Sequence, residues 1–237
     1  MSEQQLLEAS ARGDLARVKE LLQSRVSVDH VGQYGGTPLF RASANGHSIV
    51  VQHLIDAQAA LDTHDSLGQT PLSWASFNGH SDVVQRLINS QAALDTPDSG
   101  GRTPLFWASI KGHSIVVQHL IDAQAEVNAR DSLGQTPLSG TSTNGHSTVV
   151  QCLVEAGAWI YVCDENNETP LDKFSKNPKM RNILMTSNQI WSPALYSLAS
   201  KTTQETIQII MMIWSCQGCS ITNLSPELLF LIFNFLF

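Results

Sequence analysis

Residues 103 to 117 read Thr-Pro-Leu-Phe-Trp-Ala-Ser-Ile-Lys-Gly-His-Ser-Ile-Val-Val, and this stretch decides the fold because the chain repeats it. Thr-Pro-Leu stands at 37, 70, 103, 136 and 169, each step being 33 residues. Gly-His follows at 46, 79, 112 and 145, then Ser48, Ser81, Ser114 and Ser147, then a pair of valines. A fixed period of this length marks an array of stacked units. Shifting back by one period gives a degenerate first copy, in which Leu6, Ala9, Gly13, Val18 and Leu21 stand for Leu39, Ala42, Gly46, Val51 and Leu54.

Each copy reads as helix, turn, helix, finger. Threonine is a good N-cap, and proline fits the first helical position, where its missing N–H costs nothing. The first helix then runs to a glycine, the residue that ends helices at positive φ. Ser48 and its equivalents are expected to cap a second helix, whose apolar residues Val50, Val51, Leu54 and Ile55 recur at helical spacing. Neither short helix can bury its apolar face alone, so neighbouring copies must stack on one continuous core. Between copies, Leu61-Asp62-Thr63-His64-Asp65-Ser66-Leu67-Gly68 has the alternation and turn residues of an extended finger.

The motif stands as TPLFRA, TPLSWA, TPLFWA and TPLSGT, followed by Gly-His, and in this it resembles the ankyrin-repeat family. The resemblance implies an all-α solenoid of stacked helix-turn-helix units with short β-finger loops. It divides residues 1–186 into repeats at about 4–36, 37–69, 70–102, 103–135 and 136–168, with a capping copy at 169–186. Where the family usually carries glycine after the second helix, Arg25, Gln58, Gln91 and Gln124 stand, and only Gly157 keeps it. In the last copy Phe174 replaces a small residue, and Lys173, Lys176, Lys179 and Arg181 suggest the polar outer face of a cap.

Copies 37–66 and 103–132 share 22 of 30 residues and look like an internal duplication. Their differences fall in two clusters. Arg41/Trp107, Ala44/Ile110 and Asn45/Lys111 lie on one face of the first helix, while Ala60/Glu126 through His64/Arg130 fill the finger. Diversification of a binding surface and drift at exposed positions both produce that pattern. The family resemblance implies partner binding on the concave surface made by fingers and first helices. The candidate contacts there are Phe40, Arg41, His64, Trp74, Phe77, Trp107, Ile110, Lys111 and Arg130, since Trp and Arg are frequent hot spots. The competing role for Trp74 and Trp107 is to pack against each other. Between residues 33 and 171, five Lys plus Arg stand against thirteen Asp plus Glu, which favours a basic protein partner.

The whole chain carries a net charge of −7, the wrong sign for a phosphate-backbone binder, so no nucleic acid is expected. Four cysteines in 237 residues do not make a disulfide scaffold, and the N-terminal Met-Ser-Glu-Gln-Gln lacks the basic start and apolar run of a secretory signal. The expectation is a cytoplasmic or nuclear protein. His47, His80, His113 and His146 recur one per copy, without a neighbouring Cys or carboxylate pattern, and read as turn hydrogen-bonders rather than metal ligands. Cys216-Gln217-Gly218-Cys219 has no second cysteine pair beside it. With no phosphate loop, nucleophile elbow or paired acid and base in sight, neither cofactor, metal nor enzymatic activity is expected.

After residue 186 the period is lost. Residues 187–237 hold only Lys201, Glu205 and Glu227 as charges and read as an apolar helical tail of two helices. A helix over 226–237 would be about 18 Å long, short of the roughly 30 Å hydrocarbon core. Within it, Leu224, Pro226, Glu227, Leu228, Ile232 and Phe233 resemble the opening helix of an F-box, the motif that docks substrate receptors onto the adaptor of cullin-type ubiquitin ligases. That resemblance covers one helix of a much longer motif, as a truncated F-box would. A generic apolar helix, a frame or splice artefact, and a membrane-surface anchor are the alternatives.

Overall fold

A computed structural model of the chain describes residues 2–32, 35–141, 145–160, 162–174, 177, 179 and 182–184. The readings placed on residues 187–237, the F-box-like helix and the Cys216/Cys219 pair among them, lie outside the described residues. Among the described residues the helices bounded in chain order are α1 (Ser2–Arg12), α2 (Leu15–Gln23), α3 (Pro38–Ala44), α4 (Ser48–Asp56), α5 (Pro71–Asn78), α6 (Ser81–Asn89), α7 (Pro104–Lys111), α8 (Ser114–Asp122), α9 (Pro137–Gly140), α10 (Ser147–Glu155) and α11 (Pro170–Lys173). The odd-numbered helices pack in one row, α1 on α3, α3 on α5, α5 on α7 and α7 on α9. The even-numbered helices form a second row behind them.

The sequence pattern explains both rows. Thr37, Thr70, Thr103, Thr136 and Thr169 each cap a first helix, the hydroxyl accepting the backbone N–H three residues on, with proline at the first turn. Leu39, Leu72, Leu105 and Leu138 of the front row meet Leu54, Leu87, Leu120 and Leu153 of the back row, all fully buried. Burying each such side chain is worth about 1.5 to 3 kcal/mol relative to exposure, so the stack holds only as a stack. The first copy belongs to it, since Leu6 and Val18 are equally buried.

The second helices do not begin as expected. Ser48, Ser81, Ser114 and Ser147 are the first helical residues, and the N-cap is the preceding histidine, which makes no side-chain cap. Its ring is used elsewhere. Nε2–H of His47, His80 and His113 donates to the carbonyl of Ala11, Ala44 and Phe77 in the preceding copy, at 3.0, 3.1 and 3.0 Å. Each imidazole thereby lies on the glycine that ends the previous first helix. A Cβ on Gly13, Gly46, Gly79 or Gly112 would come within 3.0 Å of the histidine ring, and all four have φ between 73° and 82°. Glycine is thus required there twice over, by backbone conformation and by the close approach of the next copy.

A second tie recurs at the base of the finger. Asp29, Asp62 and Asp95 accept the backbone N–H of Ala60, Ala93 and Glu126, each at 2.9 Å, and Asn128 does the same for Trp159. An amide oxygen replaces a carboxylate oxygen in this role, which explains why Asp62 and Asn128 can differ between the duplicated copies.

The fingers expected as extended segments contain no strand among the described residues. Each is a turn closed by one aspartate. Oδ1 of Asp65 accepts N–H groups from Leu67 and Gln69, and Asp98, Asp131 and Asp164 repeat the arrangement. Successive turns are joined by single backbone bonds, Ser99 N–H to Leu67, Ser132 to Gly100 and Glu165 to Leu133.

The capping copy also departs from expectation. Lys173 does not belong to a polar outer face: only 11% of its side chain is exposed, and Nζ lies 2.6 Å from Oδ2 of Asp164, itself 1% exposed. Burial pushes the Asp164 carboxyl up, but the Lys173 ammonium and the N–H groups of Glu168 and Asn166 outweigh it and hold the carboxyl below its ordinary value. Phe174, fully buried, closes the core behind this pair.

Candidate protein-binding face

The first helices and the finger turns bound one face of the stack, and an aromatic ladder runs along it. Phe40 meets Trp74 at 6.1 Å between ring centroids, Trp74 meets Phe77 at 5.5 Å, Phe77 meets Trp107 at 5.1 Å, and Trp107 meets Phe106 at 6.5 Å. The rings are tilted by 57° to 87°, the edge-to-face geometry that the ring quadrupole favours. The two tryptophans do not pack directly on each other; Phe77 lies between them. Phe40 and Phe106 are buried and support the ladder from below, while Trp74, Phe77 and Trp107 are only partly covered.

Both indoles are fixed from the finger side. Trp74 Nε1–H donates to Oδ2 of Asp65 at 3.2 Å, and Trp107 Nε1–H donates to Oδ2 of Asp98 at 3.0 Å. The same aspartates close the turns through Oδ1, so one carboxylate couples the turn to the ring. With their polar atoms engaged internally, the indoles offer a visitor their faces and edges. Sequence reading missed Asp65 and Asp98. The signal was present in the spacing, since the aspartate stands nine residues before the tryptophan in both copies.

The remaining candidates are distributed unevenly. Lys111 is exposed, with Nζ 4.3 Å from the centre of the Phe77 ring, within the range of a cation–π contact. Arg102, which sequence reading did not single out, lies over Trp107 at 4.9 Å and reaches Oδ2 of Asp131 with Nε at 3.8 Å. Ile110 is partly buried beside Gly140, where a Cβ would meet its Cγ2 at 2.8 Å. Arg41 is partly buried on α3, and His64 is exposed at the second finger. Arg130 ties its own finger to the next one: Nε–H donates to the Gly134 carbonyl at 3.1 Å and an Nη2–H to the Cys163 carbonyl, one copy further on, at 2.8 Å.

No group of three or more His, Cys, Asp or Glu side chains suited to a metal ion occurs among the described residues. Cys152 is a free thiol, pushed up by burial and by the negative charges of Glu155 and Asp122. No helix among the described residues is long and apolar enough to cross a membrane.

No curated protein matches the chain. The family model for ankyrin repeats in three copies matches residues 6–98 and again 50–131, together just over half of the chain. The ties through His47, His80 and His113, the glycine-ended first helices and the continuous leucine core are what stacked copies of that motif require, and the chain belongs to the ankyrin-repeat family.

Proposed function

We propose that this chain is a non-catalytic scaffold that binds a protein partner on the face formed by its first helices and fingers. Ankyrin repeats are in general protein–protein interaction modules, and the family is typically non-catalytic. The supporting observation is the Trp74–Phe77–Trp107 segment of the ladder. These are large rings, partly uncovered, with indole N–H groups already engaged. Rigid aromatic surface of this kind supplies contact area at low entropic cost. The acidic surroundings favour a basic partner. The test is proximity labelling in the native cell with the wild-type chain and with the Trp74→Ala/Trp107→Ala variant. Proteins lost from the labelled set identify partners of this face; an identical set from a folded variant contradicts the reading.

The run from Leu224 to Leu236 supports a second role, substrate receptor of a cullin-type ubiquitin ligase. Deleting residues 187–237 separates the two. Loss of ligase subunits alone, with the other partners kept, supports the receptor, and an unchanged set supports the plain scaffold.

A further inference from the structure

Trp74 and Trp107 occupy the same place in successive copies and are locked by the same bond to the finger aspartate nine residues earlier. They differ in what covers them. Over Trp107 lies the guanidinium of Arg102, at 4.9 Å, with its Nε directed to the next finger aspartate, Asp131, at 3.8 Å. The residue equivalent to Arg102 in the Trp74 copy is Gln69, and the aspartate equivalent to Asp131 is Asp98. Trp74 carries no cation–π partner among the described residues. The fourth copy thus displays, within one chain, how this ring and this carboxylate hold a guanidinium. The third copy has the ring and the carboxylate without it.

We propose that Trp74 and Asp98 form a recognition site for an arginine side chain of the protein partner. The proposal rests on the binding face described above and specifies what that face reads. A guanidinium suits it for two reasons. Its flat, weakly hydrated surface stacks on an indole face, and its N–H fork suits a carboxylate. Asp98 has capacity left to accept it. Oδ1 takes the N–H groups of Gly100 and Arg102, and Oδ2 takes one indole N–H, whereas a carboxylate offers about four acceptor sites. The surrounding excess of acid over base adds attraction of the right sign. Gln69 stands where the arginine stem lies in the next copy; it carries no charge and is itself buried, so an entering guanidinium takes the place of its amide.

The experiment uses the full-length chain, with N-acetyl-L-arginine amide as probe and N-acetyl-L-glutamine amide as neutral control. NMR follows the indole N–H signals, assigned with Trp74→Phe and Trp107→Phe. The expected result is a saturable shift of the Trp74 signal with the arginine probe alone. Gln69→Arg, which places a resident arginine where Arg102 stands in the next copy, weakens that response about tenfold or more. Arg102→Gln opens the second site, and the Trp107 signal then responds as well. A silent Trp74 signal, an equal response to the neutral control, or an undiminished response in folded Gln69→Arg overturns the proposal. If Gln69→Arg fails to fold, the Arg102→Gln chain decides, and a silent Trp107 there overturns it. If the arginine probe fails while the tryptophan variants still lose their partners, the binding face stands and only its arginine specificity falls.

Discussion

Gln58, Gln91 and Gln124 end their second helices at φ of 64°, 67° and 69°, the left-handed conformation that the family's usual glycine adopts without cost. The expected departure from glycine was legible in the repeat register, and so was the strain. Whether the glutamines make compensating bonds was not legible. All three are exposed, and none makes a side-chain hydrogen bond among the described residues. A left-handed non-glycine residue costs roughly 1 kcal/mol, part of which the greater freedom of unfolded glycine returns. The triple Gln→Gly variant is expected to gain from a few tenths to about 1 kcal/mol per site, nearly additively, read as a raised denaturant midpoint. A second residue-scale feature was invisible in the sequence, where serine reads as an ordinary small residue. The hydroxyls of Ser43, Ser76 and Ser109 recur one per copy, fully buried and without a hydrogen-bond partner among the described residues. An unsatisfied buried hydroxyl costs about 1 to 3 kcal/mol, and alanine is the better helix former. Each Ser→Ala change is therefore expected to raise the thermal midpoint, and a fall would show that the hydroxyl has a role in the folded stack.

At the scale of single elements, copies that look alike in sequence differ in strength. Helices α5 and α7 have eight residues each, whereas α9 stops after four, at Gly140. Glycine and β-branched residues lower helix propensity by up to about 1 kcal/mol each, and TPLSGTST concentrates them. Because each copy contacts only its neighbours, a weak copy opens locally. Amides of residues 138–141 are expected to exchange hydrogen faster than those of 105–108; equal protection would contradict a weak fifth copy. The cap has its own signature. Asp164 is held below its ordinary value of 3.8 against the push of burial, by Lys173 and backbone N–H groups, so the pair contributes stability above that value. That contribution is lost as pH falls through the lowered folded value. Lys173→Met is expected to be destabilised near neutral pH and to converge with the wild type in strong acid; a difference that persists at all pH values would point to packing instead. Lysines 173 to 179 looked like a solvated face because charge runs usually are, and nothing in the linear pattern shows that the aspartate of the previous finger lies behind Lys173.

For the whole molecule, the period of 33 residues was enough to read the two-row stack, since the core positions and helix ends recur in register. The proposed binding face was legible only in outline. First-helix and finger positions could be proposed for it, and the geometry separates those that are partly uncovered from those that are buried or already bonded. Phe40 supports the ladder from below, Arg130 staples its finger to the next, and Trp74, Phe77 and Trp107 remain partly uncovered. The same stack provides a control, because Ile49 on α4 and Ile115 on α8 are exposed apolar side chains of the other row, 57% and 63% accessible. With a partner recovered by proximity labelling, the decisive measurement is its affinity for two folded variants, Trp74→Ala/Trp107→Ala and Ile49→Ser/Ile115→Ser. The first should weaken binding by about 1 to 3 kcal/mol for each tryptophan, the range of interface hot spots, and the second should leave it unchanged. Unchanged affinity in the tryptophan variant, with loss in the isoleucine variant, would place the partner on the second-helix side and contradict the binding face described here.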